Sequence, residues 1–123
     1  MDAAQSQGDW AYRATADGTA AYFGANGQPD FAIVCHTASH TVDLVRTGPA
    51  AAAVPVTIRT ETGDRPLNAM PQASGVAATL AANDPVLDAM AYSKGRFAVE
   101  AANMSALYVP AWPEVARVIE DCR

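Results

Sequence analysis

Between Gly95 and Arg123 the apolar residues change their spacing from every second position to every third or fourth. That change dictates a sheet with a helix laid against it. Phe97, Val99 and Ala101 alternate with Ala98 and Glu100, as in a strand with one buried face. Asn103-Met104-Ser105 supplies a turn, and Leu107 and Val109 resume the alternation up to Pro110. From Trp112 onward, Val115, Val118, Ile119 and Cys122 fall on one helical face and Glu114, Arg117, Glu120 and Asp121 on the other. Pro113 suits the first helical turn, where its missing N–H has no partner to lose, and Glu114 there complements the helix dipole. Arg117 stands at helical spacing from Glu114, Glu120 and Asp121, so it is expected to pair with one of them.

The preceding chain reads as short strands separated by turn signals. Trp10 to Arg13 is a first strand with Trp10 and Tyr12 on one face; Ala16-Asp17-Gly18 turns it into Thr19 to Phe23. Asn26-Gly27 and Pro29-Asp30 mark a break. Phe31, Ile33 and Cys35 then point one way and Ala32, Val34 and His36 the other, with Thr37-Ala38-Ser39 leading to a partner strand around Val42 and Leu44. Gly48 to Ala53 is a surface connection. Val54, Val56 and Ile58 form another strand, and Pro55 places it at a sheet edge or at the start of its strand. Glu61 to Asp64 is a turn, and Leu67 to Leu80 holds two short strands around Gln72-Ala73-Ser74-Gly75. A helix is expected from Asp84, its N-cap, through Pro85 to Lys94, with Gly95 as the residue that ends it. The fold class is therefore mainly β with two short helices: an antiparallel β-sandwich or flattened barrel closed by a C-terminal amphipathic helix. Residues 1–8 form a flexible N-terminal segment and 9–123 a single β-rich domain.

The 123 residues carry a formal net charge of -5 and a pI near 4.7. That balance excludes a nucleic-acid binder, which needs a basic surface to displace counterions. It equally disfavours an anionic membrane surface, and no apolar run is long enough to span a bilayer. Met1 to Gln5 has neither the basic start nor the apolar stretch of a leader, and the polar opening reads as what remains once a leader is removed. The two cysteines, Cys35 in a core strand and Cys122 on the apolar helix face, read as the minimal disulfide set of an exported protein. Two unpaired buried thiols in a cytosolic protein is the other reading, because spacing alone does not bring two Cα atoms within bridging range.

Catalytic chemistry has little to stand on, and no catalytic or cofactor-binding residue is assigned. His36 and His40 flank the central hairpin with Asp43 nearby, a candidate metal site, but His40 and Asp43 are an odd number of positions apart and face opposite sides of a strand. Histidines bonded to turn backbone are the plainer reading. Ser39, His40 and Asp43 lie too close in sequence for a hydrolytic triad, and no Gly-x-Ser-x-Gly elbow or phosphate loop exists. Asp84, Asp88 and Glu100 find no partner across a cleft. The aromatics left for an interface are Tyr12, Tyr22, Tyr92, Tyr108 and Trp112, with Tyr92, Tyr108 and Trp112 the main candidates.

Trp10, Cys35, Ile58-Arg59-Thr60, Phe97 and Cys122, in this order around a short helix and a closing strand pair, give the chain a topology that resembles the small exported proteins of the invasion-associated locus B family. It is similar as well to an accessory family of type VI secretion. The resemblance implies an envelope location and a non-enzymatic role. The expected function is thus a periplasmic or lipid-anchored accessory or binding module that recognises an envelope protein or glycan, without a cofactor and with a possible homodimer through a sheet edge. A small metal-assisted envelope hydrolase using the His36 and His40 hairpin is the alternative.

Overall fold

The computed structural model describes residues 4–25 and 27–123. The first three residues of the opening segment expected to be flexible, and Asn26 of the expected break, lie outside them. The described chain runs β1 (Asp9–Ala14), β2 (Gly18–Ala25), β3 (Gln28–His36), β4 (Thr41–Thr47), β5 (Val54–Thr60), β6 (Gly63–Gln72), β7 (Gly75–Ala81), α1 (Pro85–Ala91), β8 (Arg96–Ala101), β9 (Leu107–Pro110) and α2 (Pro113–Asp121). The strands form one antiparallel sheet in the order β1-β2-β3-β4-β7-β6-β5-β8-β9, curled into a half-barrel. The curl is visible in the core. Trp10 of β1 packs on Phe23 and Phe31, and the Phe31 ring of β3 meets Phe97 of β8 with centroids 6.1 Å apart, although β3 and β8 are far apart in the strand order. The buried residues at alternate positions, among them Phe23, Ile33, Val42, Ile58 and Val99, fill the concave side.

Several elements depart from their sequence signals. Pro29 and Asp30 do not break the chain but lie inside β3, where Phe23 pairs with Phe31 and Gly24 with Pro29, leaving Asp30 as the extra residue of a bulge. A proline is tolerated there because the ladder is already interrupted. Strand β5 is not at an edge: it lies between β6 and β8, and Pro55 sits near its start. Strand β6 begins at Gly63 and is ten residues long, its pattern hidden because only Ala69 is buried. Helix α1 stops at Ala91, and Gly95 (φ 82°) instead opens β8, its carbonyl accepting the Ala111 N–H.

The C-terminal helix covers one end of the sheet. It packs against β1, β2, β3 and α1, burying Val115, Val118 and Ile119. Cys122 is bonded to Cys35, with Cα atoms 5.5 Å apart. Around that bond the chain end is tied down at each residue. Tyr12 donates to Asp121, as does Thr19 Oγ1 at 2.8 Å; His40 Nδ1–H donates to the Cys122 carbonyl at 2.9 Å; and Arg123 reaches the Ala82 carbonyl and Asp88 at 2.8 Å each. Arg117 takes no carboxylate among the described ion pairs. It lies exposed, 4.0 Å over the Tyr12 ring, where an aromatic face takes the place of a carboxylate.

The opposite end is plugged by Arg46, which shares the inward side of β4 with Val42 and Leu44 and is 9% exposed. Its guanidinium donates to the carbonyls of Thr47 and, at 3.0 Å, Ser105. Burial pushes its pKa down, opposed by the charge of Asp30.

The sheet edges differ. The Tyr108 carbonyl of β9 accepts the Ser6 N–H and its own N–H donates to the Ser6 hydroxyl, Pro110 has no N–H to offer, and the Pro110 carbonyl accepts the Trp10 indole N–H at 2.7 Å. That edge is therefore occupied along Tyr108–Pro110, while β1 carries α2 against it.

Two outcomes follow for stability. The disulfide closes a sequence separation of 87 residues, for which chain entropy gives about 4 to 5 kcal/mol as an upper figure. Thiol titration of the unreduced, denatured protein should find no free thiol. Reductant or Cys122→Ser should lower Tm and fray α2 first, and reductant should change nothing further in that variant. The second outcome concerns Asp84, which caps Val86 N–H and pairs bidentately with Arg65 at 2.8 and 2.9 Å. Burial raises its pKa, but the Arg65 hydrogen bonds and charge, with the Val86 N–H, outweigh this and hold the carboxyl below its ordinary value. Its contribution is thus complete above about pH 4, the unfolded aspartate value, and is lost as pH falls through the lower folded value. Asp84→Asn should cost on the order of 1 kcal/mol at neutral pH in denaturant titrations, a gap that closes in acid.

Candidate functional site

The residues singled out from the sequence do not converge. His36 ends β3 opposite Thr41, so Asp43 is its diagonal neighbour on the same face. Its Nε2 bonds Asp43 at 2.9 Å and its Nδ1 lies 3.7 Å from Asp17, while Asp43 also accepts from Thr79 at 2.6 Å. His40 is in the turn with φ 53° and is committed to the Cys122 carbonyl. The two imidazoles therefore serve different partners. Among the described residues no three His, Cys, Asp or Glu side chains are grouped as a metal ion requires. Asp88 and Glu100 likewise have their own cations, Arg123 and Arg59.

The interface aromatics are spread over three elements. Tyr92 follows α1 and is 70% exposed; Tyr108 is half-buried in β9 against Ser6; Trp112 precedes α2 and is 37% exposed. Trp112 borders a cleft, of about 570 Å³, shared with Tyr12, Glu114 and Arg117.

The larger depression, about 670 Å³, lies on the convex face of β1 and β2 at the bulge. Its origin is in small residues. Along β1 the outward positions are Asp9, Ala11 and Arg13, opposite Gly24, Tyr22 and Ala20 of β2. Ala11 and Gly24 leave the floor low, and longer side chains stand around it. Arg13 and Tyr22 form one wall, the guanidinium 5.9 Å over the ring; Asp9, Gln7 and Gln28 stand at the other end. Two glycines allow this packing. A Cβ on Gly8 would come 2.6 Å from the Gly24 backbone, and one on Gly24 would come 2.0 Å from the Gln28 carbonyl oxygen. Tyr22 is legible in the sequence as a candidate aromatic. Arg13, Asp9 and the glutamines carry no signal of their own, because their grouping depends on strand register and on the bulge.

No protein-family model matches the chain, and no curated protein or solved structure is similar to it. The groove is thus read from its own chemistry: among the described residues a concave lining that presents the Tyr22 ring, the Asp9 carboxylate, the Arg13 guanidinium and the amides of Gln7 and Gln28, with the buried Trp10 beneath, suited to holding a ligand through side chains.

Gly24→Ala tests the groove's construction. The added methyl meets backbone rather than a movable side chain, so the bulge must open. A loss on the order of 1 to 3 kcal/mol is expected in denaturant unfolding, with chemical-shift changes centred on Gly8, Gln28 and Pro29. An unchanged midpoint would mean that the bulge yields freely.

Proposed function

We propose that this protein is a non-enzymatic binding module of the cell envelope that receives a protein or glycan partner in the β1–β2 groove. The observation that carries the reading is the groove itself, where exposed polar side chains and Tyr22 gather around a floor kept bare by Ala11 and Gly24. The Cys35–Cys122 bond supports an exported chain, since such bonds persist in oxidising compartments. No described helix is long and apolar enough to cross a membrane. The order of Trp10, Cys35, Ile58-Arg59-Thr60, Phe97 and Cys122 adds its likeness to the invasion-associated locus B and type VI accessory proteins. In this reading α2 closes the curled sheet into a flattened barrel, and the groove lies on its outer wall.

Sedimentation with isolated bacterial envelopes tests the proposal. The protein should bind saturably, Ala11→Trp, which fills the floor, should lose at least tenfold in affinity, and Met70→Trp, at an exposed site on β6, should bind as the parent does. Absent binding, or equal binding by both variants, overturns it.

A further inference from the structure

Which ligand class the groove takes can be argued from its walls. Asp9 and Arg13 are four residues apart on one strand, about 13 Å at the usual rise per residue, so opposite charges bracket the floor. That pairing gives no net attraction for a polyanion, and the acidic chain gives none either. A purely apolar ligand would strip water from Asp9, Arg13, Gln7 and Gln28 without replacing their hydrogen bonds, at a cost for each.

A peptide is a poor match for a different reason. Extended peptides are held by backbone pairing at a sheet edge, whereas this groove lies on the sheet face, where β1 and β2 pair with each other from Asp9–Gly24 to Ala14–Thr19. A bound peptide would keep its own N–H and C=O groups largely unanswered. A sugar carries its hydroxyls outward in all directions. These can donate to the Asp9 carboxylate and the glutamine carbonyls and accept from Arg13 and the glutamine amides, while the apolar face of a ring rests beside Tyr22.

We propose that the groove is a binding site for a neutral oligosaccharide, longer than one sugar ring because the polar ends are separated by the span of β1. The ring beside Tyr22 is the anchor, and Asp9 and Arg13 set the orientation of the chain. This rests on the reading of the groove as the binding surface and narrows its ligand to one class.

The test is a chemical-shift titration of the whole protein with separate trisaccharides of glucose, N-acetylglucosamine, mannose and galactose, and in parallel a uronic-acid trisaccharide and an uncharged tetrapeptide. The expected result is saturable shifts with at least one neutral sugar, centred on Ala11, Arg13, Tyr22, Gly24 and Gln28. Tyr22→Leu should weaken that binding at least tenfold and Asp9→Asn several-fold, with Met70→Ala unchanged. Each variant's folded state is checked by its Tm and by preserved shifts far from the groove, and Asp9→Asn, at an exposed position, gives an answer even where Tyr22→Leu does not fold. Groove shifts with the acidic sugar or the peptide alone would overturn the sugar assignment. Silence from the sugars with envelope sedimentation intact would overturn the sugar but leave the binding module standing. Loss of both would remove the two together.

Discussion

The bond between Cys35 and Cys122 is the constraint on which the arrangement of both helices depends. Cys35 is the second-last residue of β3, next to the turn into β4 and paired with Val42, while Cys122 directly follows α2. Joining them fixes α2 and the residues after it against β2, β3 and α1. Once held there, the last residues serve as partners for groups that would otherwise lack them: Asp121 for Tyr12 and Thr19, the Cys122 carbonyl for His40, and Arg123 for Asp88. The polar contacts are individually modest, since most are partly exposed. The covalent link makes them simultaneous by removing most of the entropy that each would have to overcome alone.

The two ends of the curled sheet are managed by different chemistry. At the Cys35 end, apolar residues of α2 and α1 cover the core. At the other end no described helix lies over the core, and the buried Arg46 stands there with Ala50 and Met104 packed beside it. Arg46 reaches across to the carbonyls of the β8–β9 connection and of its own strand, so a cation satisfies backbone acceptors that irregular chain leaves open. Its Nε has no partner among the described residues, and its pKa is pushed down by burial, both consequences of using a long polar side chain where a core residue would normally stand.

The outer face follows from the alanine-rich composition. Where large side chains line a sheet, its convex face is uniform; where alanine and glycine alternate with longer residues, the face acquires relief. Ala11 and Gly24 beside Arg13 and Tyr22 produce that relief at the one place where β2 and β3 slip register, so the groove and the bulge have one cause. The Pro29 that accompanies the bulge is compatible with it because an interrupted ladder needs no N–H.

Period-2 alternation around Ile33, Val42, Ile58 and Phe97, and the helical spacing of Val115 to Cys122, were sufficient to place most strands, both helices and the half-cystines on buried faces, since each of those patterns is local. The N-cap role of Asp84 was equally legible, because a cap is set by its own neighbours. What the sequence could not supply was anything that depends on register or on distant partners. The β6 strand carries too few buried residues to announce itself, α1 ends earlier than Gly95 suggests, and Arg117 chose the Tyr12 ring over the carboxylates beside it on the helix. The groove belongs wholly to this second category. Asp9, Arg13 and Tyr22 are unremarkable in the chain. They come to border one groove only because β1 pairs with β2 in a particular register and Asp30 bulges out of β3, and pairing between strands is decided by the burial of the whole sheet rather than by any segment within it.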